Sequence, residues 1–163
     1  MGHTSHVTHL DWAADSVHLR SNSSTFDAPP SITSSSAAAV HEVLFWNASV
    51  CRQVRDAEAI RGLTWTSTDC PISWGTLGVW GSESPTDPDV WSTSRNPALE
   101  LLAAGDSAGK VRLYTYPASQ PKSLYHASHG HSHAVTRVSW LSDGSKLVSA
   151  GGRDNTILQW RII

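Results

Sequence analysis

Short runs of apolar residues, interrupted by polar ones, recur along most of this chain. Near the N-terminus Val7, Leu10 and Trp12 are separated by polar residues, and Asp15 and Ser16 then break the run. Alternation of this kind, bounded by turn-forming residues, predicts half-buried β-strands. No stretch carries the longer period of a helix. We therefore predict an all-β chain without a helix of useful length.

The first run has a counterpart near the other end of the chain. A Gly-His pair precedes each run, and a second tryptophan, Trp46 or Trp160, closes each unit. His3 leads to Trp12 at the same spacing by which His131 leads to Trp140. Internal repeats of this length are typical of β-propeller blades. The pattern therefore predicts blades of a WD-repeat β-propeller, each a four-stranded antiparallel meander.

The run pattern predicts about three blades, an incomplete propeller. The first covers about 1–56 with a Ser-rich insertion at 22–40, the second about 57–128 with an insertion at 66–97, and the third 129–163. Counting runs gives four, four and three strands, so the last blade is predicted to lack its outer strand. Ile60, Leu63 and Trp65 are predicted to form the first strand of the second blade. Because three blades cannot close a ring, we expect exposed strand edges that favour association.

WD-repeat blades are held by a hydrogen-bonded chain of a loop His, a strand Ser or Thr, a turn Asp and a Trp. Buried polar groups need such partners, and a complete chain fixes strand register. The third unit offers His131, Asp154 and Trp160, with Ser149 or Ala150 at the strand position. The first offers His3 and Trp46, with Val40 or the insertion in place of the acid, and the second has Ala108 and Tyr114 instead. Only the third network is predicted to be nearly complete.

Charge and cysteine content narrow the function classes. The formal net charge is −2, and the twelve Lys and Arg residues are scattered singly. This leaves no basic footprint for nucleic acid or an anionic membrane. The N-terminus lacks a signal-peptide pattern, no apolar stretch is long enough for a membrane span, and Cys51 and Cys70 have no metal-type spacing. We expect a soluble protein of the reducing cytoplasm.

Two motifs suggest chemistry that their context does not support. His129, His131 and His133 alternate, so a strand would place them on one side, as a metal site would require. The blade network already accounts for His131, however, and no acidic or Cys ligand flanks the group.

Gly105 to Gly109 matches the Gly-x-Ser-x-Gly elbow of hydrolases, which requires a helix after the serine. A strand pattern follows here instead. We predict no metal, no cofactor and no enzymatic activity.

Three tryptophans fall in the predicted insertion of the second blade. An exposed cluster of large apolar side chains marks a protein-binding surface. The alternative is that these side chains pack the insertion onto its blade. Both interpretations remain open from the sequence, and the candidate interaction surface consists of Trp74, Trp80 and Trp91.

Several segments together resemble one protein family. Gly78-Val79-Trp80 followed by Ser94-Arg95-Asn96 is the most specific of them. The others are the two Gly-His elements, Leu44-Phe45-Trp46, Val111-Arg112-Leu113-Tyr114 and Gly151-Gly152-Arg153-Asp154. Over nearly its whole length the chain resembles the C-terminal end of echinoderm microtubule-associated protein-like proteins. The Ser-rich insertion departs from that pattern.

The resemblance implies the last three blades of the second of two tandem propellers. It also implies a cytoplasmic, cytoskeletal role as a non-enzymatic scaffold in a longer parent protein that binds microtubules or free tubulin. The family's N-terminal basic and coiled-coil regions are absent from this sequence, so we expect a supporting or regulatory contribution. The alternative is a WD-repeat adaptor for an unrelated complex, such as one in ubiquitination or trafficking, that uses the propeller face without tubulin.

Overall fold

β-Strands are the main regular secondary structure of the chain. The computed structural model describes residues 2–23, 42–56, 58–80 and 88–162. Within these ranges the only helical segments are two single 3₁₀ turns, at Glu58–Ile60 and Leu77–Val79. The strands are β1 Val7–Trp12, β2 His18–Ser23, β3 Glu42–Asn47, β4 Arg52–Val54, β5 Val90–Asn96, β6 Leu101–Asp106, β7 Lys110–Thr115, β8 Tyr125–His129, β9 Val135–Trp140, β10 Lys146–Gly151 and β11 Ile157–Arg161.

The strands form three separate antiparallel meanders. Their orders are β1-β2-β3-β4, β5-β6-β7-β8 and β9-β10-β11. We call these sheets the first, second and third blades. Consecutive pairing in every sheet is the arrangement of propeller blades, so the predicted all-β propeller class is confirmed. By contact density the chain divides into two compact units, Met1–Ile72 and Ser73–Ile163, and each is described by itself.

The second strand of the first blade runs further than its sequence suggests. β2 continues through Asn22 and Ser23, inside the predicted Ser-rich insertion, and both residues are buried. Burial is tolerated because the Asn22 side-chain amide exchanges two hydrogen bonds with the backbone of Ile72, at 2.9 and 3.3 Å. The remainder of the predicted insertion lies outside the described residues.

The innermost strand of the second blade is not where the sequence predicts it. Residues 60–65 form no strand; Trp65 makes a single bridge to Ala13, and Glu58–Ile60 is a 3₁₀ turn. The innermost strand is β5, which lies inside the predicted 66–97 insertion. Most of β5 is buried, and it consists largely of Ser, Thr and Asn. Because a strand buried on both faces shows no apolar–polar alternation, the pattern concealed it. The outer strand β8 covers Tyr125–His129.

Both faces of the second blade are packed within the second unit. Leu102 and Ala104 of β6 join a cluster with Val79, Val90 and Tyr114, against which Trp80 and Tyr116 pack. Ala103, on the opposite face, joins Val135, Val138 and Leu147 of the third blade. At Gly105 a Cβ atom would stand 2.6 Å from the Val135 side chain. The close approach of these blades therefore requires glycine at this position.

Two serine hydroxyls join the inner strands of the second and third blades. Ser92 Oγ accepts a hydrogen bond from the Val138 backbone N–H at 3.1 Å, and Ser94 Oγ accepts one from Trp140 N–H at 3.3 Å. The indole N–H of Trp140 donates to the Ser94 carbonyl. The small polar residues of β5 therefore satisfy backbone donors along the neighbouring inner strand.

None of the helical segments in the described ranges is long and apolar enough to cross a membrane.

Candidate functional site

The third blade contains a four-residue hydrogen-bonded chain. The Trp160 indole N–H donates to Ser149 Oγ at 2.8 Å, and Ser149 Oγ lies 2.7 Å from His131 Nε2. His131 Nδ1 lies 2.9 Å from Asp154 Oδ2. Because the hydroxyl accepts from the indole, it donates to Nε2, and Nδ1–H then donates to the carboxylate. The structure thus brings all four predicted residues together, with Ser149 and not Ala150 at the strand position.

The first blade contains a chain of the same form. The Trp46 indole donates to Ser21 Oγ at 2.8 Å, and Ser21 Oγ lies 2.5 Å from His3 Nε2. His3 Nδ1 lies 3.3 Å from Glu42 Oε2. The expectation that Val40 or the insertion stands in place of the acid is therefore wrong, because Glu42 supplies the carboxylate. The sequence pattern did not predict that Ser21 and Glu42 belong to this network.

Strand register explains how Glu42 replaces an aspartate from a turn. Ser149 pairs with Leu158, and Ser21 pairs with Leu44. Glu42 on β3 therefore occupies the position of Thr156, whose hydroxyl lies 2.9 Å from His131 Nδ1. The glutamate reaches the imidazole directly from the strand. The signal that could have found it is an acid two residues before the Leu-Phe-Trp run.

Both carboxylates are held in the ionised form. Hydrogen bonds from the Thr4 side chain and backbone lower the pKa of Glu42 to about 2, with smaller contributions from His3 and Ser23. For Asp154, desolvation acts to raise the pKa, but hydrogen bonds from His131 and from Thr156 outweigh it and lower the pKa. Each blade network therefore ends in a charged acceptor, which strengthens its last hydrogen bond.

The second blade has a buried ion pair instead. Ala104 and Tyr114 occupy the register positions of the serine and the tryptophan. Arg112 Nε and a terminal guanidinium nitrogen lie 2.9 and 2.7 Å from Asp106 Oδ2. Asp106 Oδ1 accepts from the backbone N–H groups of Ala108 and Lys110, which closes the β6–β7 turn. Charge pairing thus holds this blade where the predicted acid is missing.

A second buried ion pair, which the sequence reasoning missed, lies in the first unit. The Asp11 carboxylate contacts the Arg20 guanidinium at 2.7 Å and accepts from the Cys70 backbone N–H at 3.0 Å. It also accepts from the Ser67 hydroxyl and, at 2.9 Å, from the Asp69 N–H. Asp11 therefore fixes the segment after Trp65 against the first blade. Burial and the nearby Asp11 charge raise the pKa of the Cys70 thiol, which keeps it protonated.

The three candidate interaction tryptophans have different surroundings. Trp80 packs against the Leu102 cluster, as the packing interpretation requires. Trp74 is partly exposed, at 37%. Trp91 lies at the start of the second blade's inner strand, half-buried, and lines a cleft. Of the three, Trp91 is the one whose position in a cleft suits contact with a partner.

The cleft at Trp91 follows one edge of the second and third blades. It encloses about 520 Å³ and takes lining residues from the turns that join β6 to β7, β8 to β9 and β10 to β11. We call it the loop-edge cleft; its lining is Trp91, Ser107, Ala108, Ser132, His133, Ala134, Gly152 and Arg153. An aromatic floor with hydroxyl groups and a cationic rim is suited to binding a polypeptide.

The hydrolase-like motif forms the wall of this cleft. Ser107 lies in the β6–β7 turn, and a strand, not a helix, leaves that turn. The Ser107 hydroxyl accepts a hydrogen bond from the Asp89 backbone N–H at 3.1 Å. The motif therefore closes a hairpin. In the described parts of the chain, no group of three or more His, Cys, Asp or Glu side chains is placed to hold a metal ion.

Comparison with known proteins identifies the family to which this chain is similar. Residues 1–162 match the model of the echinoderm microtubule-associated protein second β-propeller. The chain belongs to this family. It is 37% identical to human echinoderm microtubule-associated protein-like 2 over 162 residues, covering 99% of this chain and 22% of that protein.

Other members of the family show similar identity. The propeller segment is 38% identical to rat echinoderm microtubule-associated protein-like 1, covering 99% of this chain and 18% of that protein. It is 36% identical to the 77 kDa echinoderm microtubule-associated protein of Lytechinus variegatus, with 99% and 22% covered. The chain thus spans about a fifth of the length of the curated relatives it matches. The predicted family resemblance is confirmed.

Proposed function

We propose that this propeller segment is a non-enzymatic scaffold that acts within a longer microtubule-associated protein. The observation that supports it is the match of residues 1–162 to the second-propeller model, together with relatives named as microtubule-associated. Such a protein binds microtubules or free tubulin and works in the cytoplasm, at the cytoskeleton. It needs no cofactor, and its contacts are with proteins.

The loop-edge cleft is the surface we propose for partner binding. Its turns come from two adjacent blades of the second unit, so strand pairing holds them in fixed positions. Arg153 and His133 are exposed at its rim, and Trp91 supplies apolar area. A rigid rim with one aromatic residue loses little conformational entropy when a partner binds.

Co-sedimentation with polymerised microtubules tests the main proposal. We expect the full-length gene product to pellet with microtubules, or to co-elute with free tubulin in gel filtration. Arg153→Glu should lower the bound fraction, whereas Arg52→Glu, the same charge change at the exposed position of β4, should not. A full-length protein that neither pellets nor binds tubulin contradicts the proposal. Equal loss in both variants contradicts the assignment of the cleft.

A WD-repeat adaptor for an unrelated complex is the second candidate. The observation that favours it is the formal net charge of −2 with scattered cations, which gives no basic stripe for an acidic polymer surface. Pull-down from cytosol separates the two functions. An adaptor recovers ligase or coat subunits reproducibly and tubulin only at background, whereas the microtubule scaffold enriches tubulin.

A further inference from the structure

A second cleft lies within the second unit and has a different chemistry. It encloses about 450 Å³ between one face of β7, the start of β8 and the 3₁₀ turn at Leu77–Val79. We call it the lysine cleft; the lining residues that matter here are Lys110, Arg112, Tyr114, Lys122, Leu124 and Tyr125. Lys110, Arg112 and Tyr114 alternate along β7, which places them on the same face of the strand.

Among the residues that the structure describes, two cations of the cleft have no acidic partner. Arg112 is neutralised by Asp106, as described above, but Lys110 and Lys122 form no ion pair with any described residue. None of the described lining residues is acidic. Two ammonium groups that share one concave surface attract anions more strongly than isolated lysines do, because the low-dielectric walls concentrate their field.

An apolar area adjoins the two lysines. Leu124 is 94% exposed and Tyr125 is 50% exposed. The Tyr125 ring packs against the Tyr114 ring and the Arg112 guanidinium group. Its centroid lies 5.2 Å from that of Tyr114 and 5.1 Å from the Arg112 guanidinium carbon. An aromatic ring already held in place and an exposed leucine offer contact area at small entropic cost.

The loop that carries Lys122 is held rigidly. A Cβ at position 78 would collide with the Gln120 carbonyl and the Ser123 hydroxyl, so this turn and the loop are in direct contact. Gly78 N–H donates to the Ala118 carbonyl at 2.6 Å, and Ser123 Oγ donates to Gln120 O at 2.8 Å. Lys122 itself has φ of 59°, in the left-handed region that few non-glycine residues adopt. These contacts therefore fix the backbone that carries Lys122 at the rim of the cleft.

We propose that the lysine cleft binds an acidic peptide segment of a partner protein, with carboxylates at Lys110 and Lys122 and an apolar side chain on Leu124 and Tyr125. Two cations and a short apolar shelf match a few acidic residues around one apolar residue. Nucleic acid is a poorer match, because phosphate backbones require longer rows of cations. The proposal is independent of microtubule binding.

Fluorescence anisotropy with defined peptides tests this assignment. The probe is a fluorescein-labelled Ser-Glu-Glu-Leu-Glu-Ser peptide, and the control probe replaces each Glu with Gln. We expect saturable binding of the first peptide, weakened by added salt, and at least about tenfold weaker binding of the second. Lys110→Glu with Lys122→Glu should weaken binding of the acidic peptide by about tenfold or more, because each substitution turns an attraction into a repulsion.

A matched pair of variants controls for net charge. Lys146 and Arg161 face each other across β10 and β11, so Lys146→Glu with Arg161→Glu makes the same charge change elsewhere in the unit. We expect this pair to leave the affinity within about twofold, and Leu124→Ser, which changes no charge, to lower it several-fold. Equal loss in both charge pairs would overturn the proposal. So would no effect of Leu124→Ser, no saturable binding at millimolar peptide, or tighter binding of a single-stranded DNA oligomer.

Discussion

The first and third blades reach the same His-Ser-Trp geometry but obtain the acid from different places. In both, the indole-to-hydroxyl distance is 2.8 Å, and the hydroxyl lies 2.5 or 2.7 Å from the imidazole. In the third blade the acid is Asp154, from the turn before the third strand. In the first it is Glu42, on the strand itself. The comparison teaches that a blade tolerates a changed loop when the strand can supply the carboxylate.

The largest expected effect comes from removing the shared hydroxyl. Ser149→Ala leaves the Trp160 N–H and His131 Nε2 without their partner in a buried site, which should lower the free energy of unfolding by about 2–3 kcal/mol. Ser21→Ala should cost a similar amount if the two networks are equivalent. Chemical denaturation measures both, with the exposed Ser139→Ala as control. A loss at Ser149 alone would break the comparison.

A serine introduced at the corresponding position of the second blade should destabilise the protein. Ala104 occupies the register position of Ser149 but is fully buried, and no histidine occurs between residues 57 and 90 to accept from a hydroxyl. We expect Ala104→Ser to destabilise the protein by about 1–2 kcal/mol, because it buries an unpaired hydroxyl. Equilibrium unfolding decides this. A neutral or stabilising result would show that this blade can accept the network.

The two acids should differ in importance. The Asp154 side chain is 7% exposed and lies 2.9 Å from His131, whereas that of Glu42 is 26% exposed and lies 3.3 Å from His3. Hydrogen bonds to a buried charge contribute more than exposed ones. We therefore expect Asp154→Ala to lower Tm more than Glu42→Ala does, measured by thermal unfolding near neutral pH. The reverse order would mean that strand placement compensates for exposure.

The smallest effect is a dependence of stability on acid pH. The pKa of Glu42 is lowered from 4.5 to about 2 in the folded chain, so its ionised form stabilises the fold. That contribution is complete above pH 4.5 and is lost as the pH falls towards 2. Comparing unfolding curves at pH 3 and pH 6 should show a smaller pH difference in Glu42→Gln than in the original chain. Glu58→Gln, which also replaces a carboxylate at an exposed position, is the control for the substitution.

The sequence predicted the third blade most fully because its local signals agree. The two turns at 142–144 and 151–155, the alternating runs and the His, Asp and Trp positions all indicate the same three strands. When local signals agree in this way, the structure of a segment can be predicted without knowing its tertiary contacts. Only the choice between Ser149 and Ala150 required the observed register.

The inner strand of the second blade could not be predicted because its signals are tertiary. Residues 60–65 reproduce the apolar spacing of a strand, yet the chain there is drawn towards the first blade by the Ala13 bridge and by Asp11, which binds residues 67–70. The polar residues of β5 resemble a loop until their neighbours are known. Glu42 was missed for a related reason, since a longer side chain from another position replaced the expected aspartate.

The hydroxyl groups of Ser92 and Ser94 should determine how fast two amides on the inner edge of β9 exchange with solvent deuterium. The amides of Val138 and Trp140 donate to the Ser92 and Ser94 hydroxyls of the neighbouring blade. Solvent deuterium can therefore reach them as soon as the two blades separate, even while each sheet stays intact. Their exchange rates would report the separation of the two blades, whereas the exchange rates of amides inside the β9–β10 ladder would report the opening of the sheet. Comparing the two sets of rates would distinguish these two events.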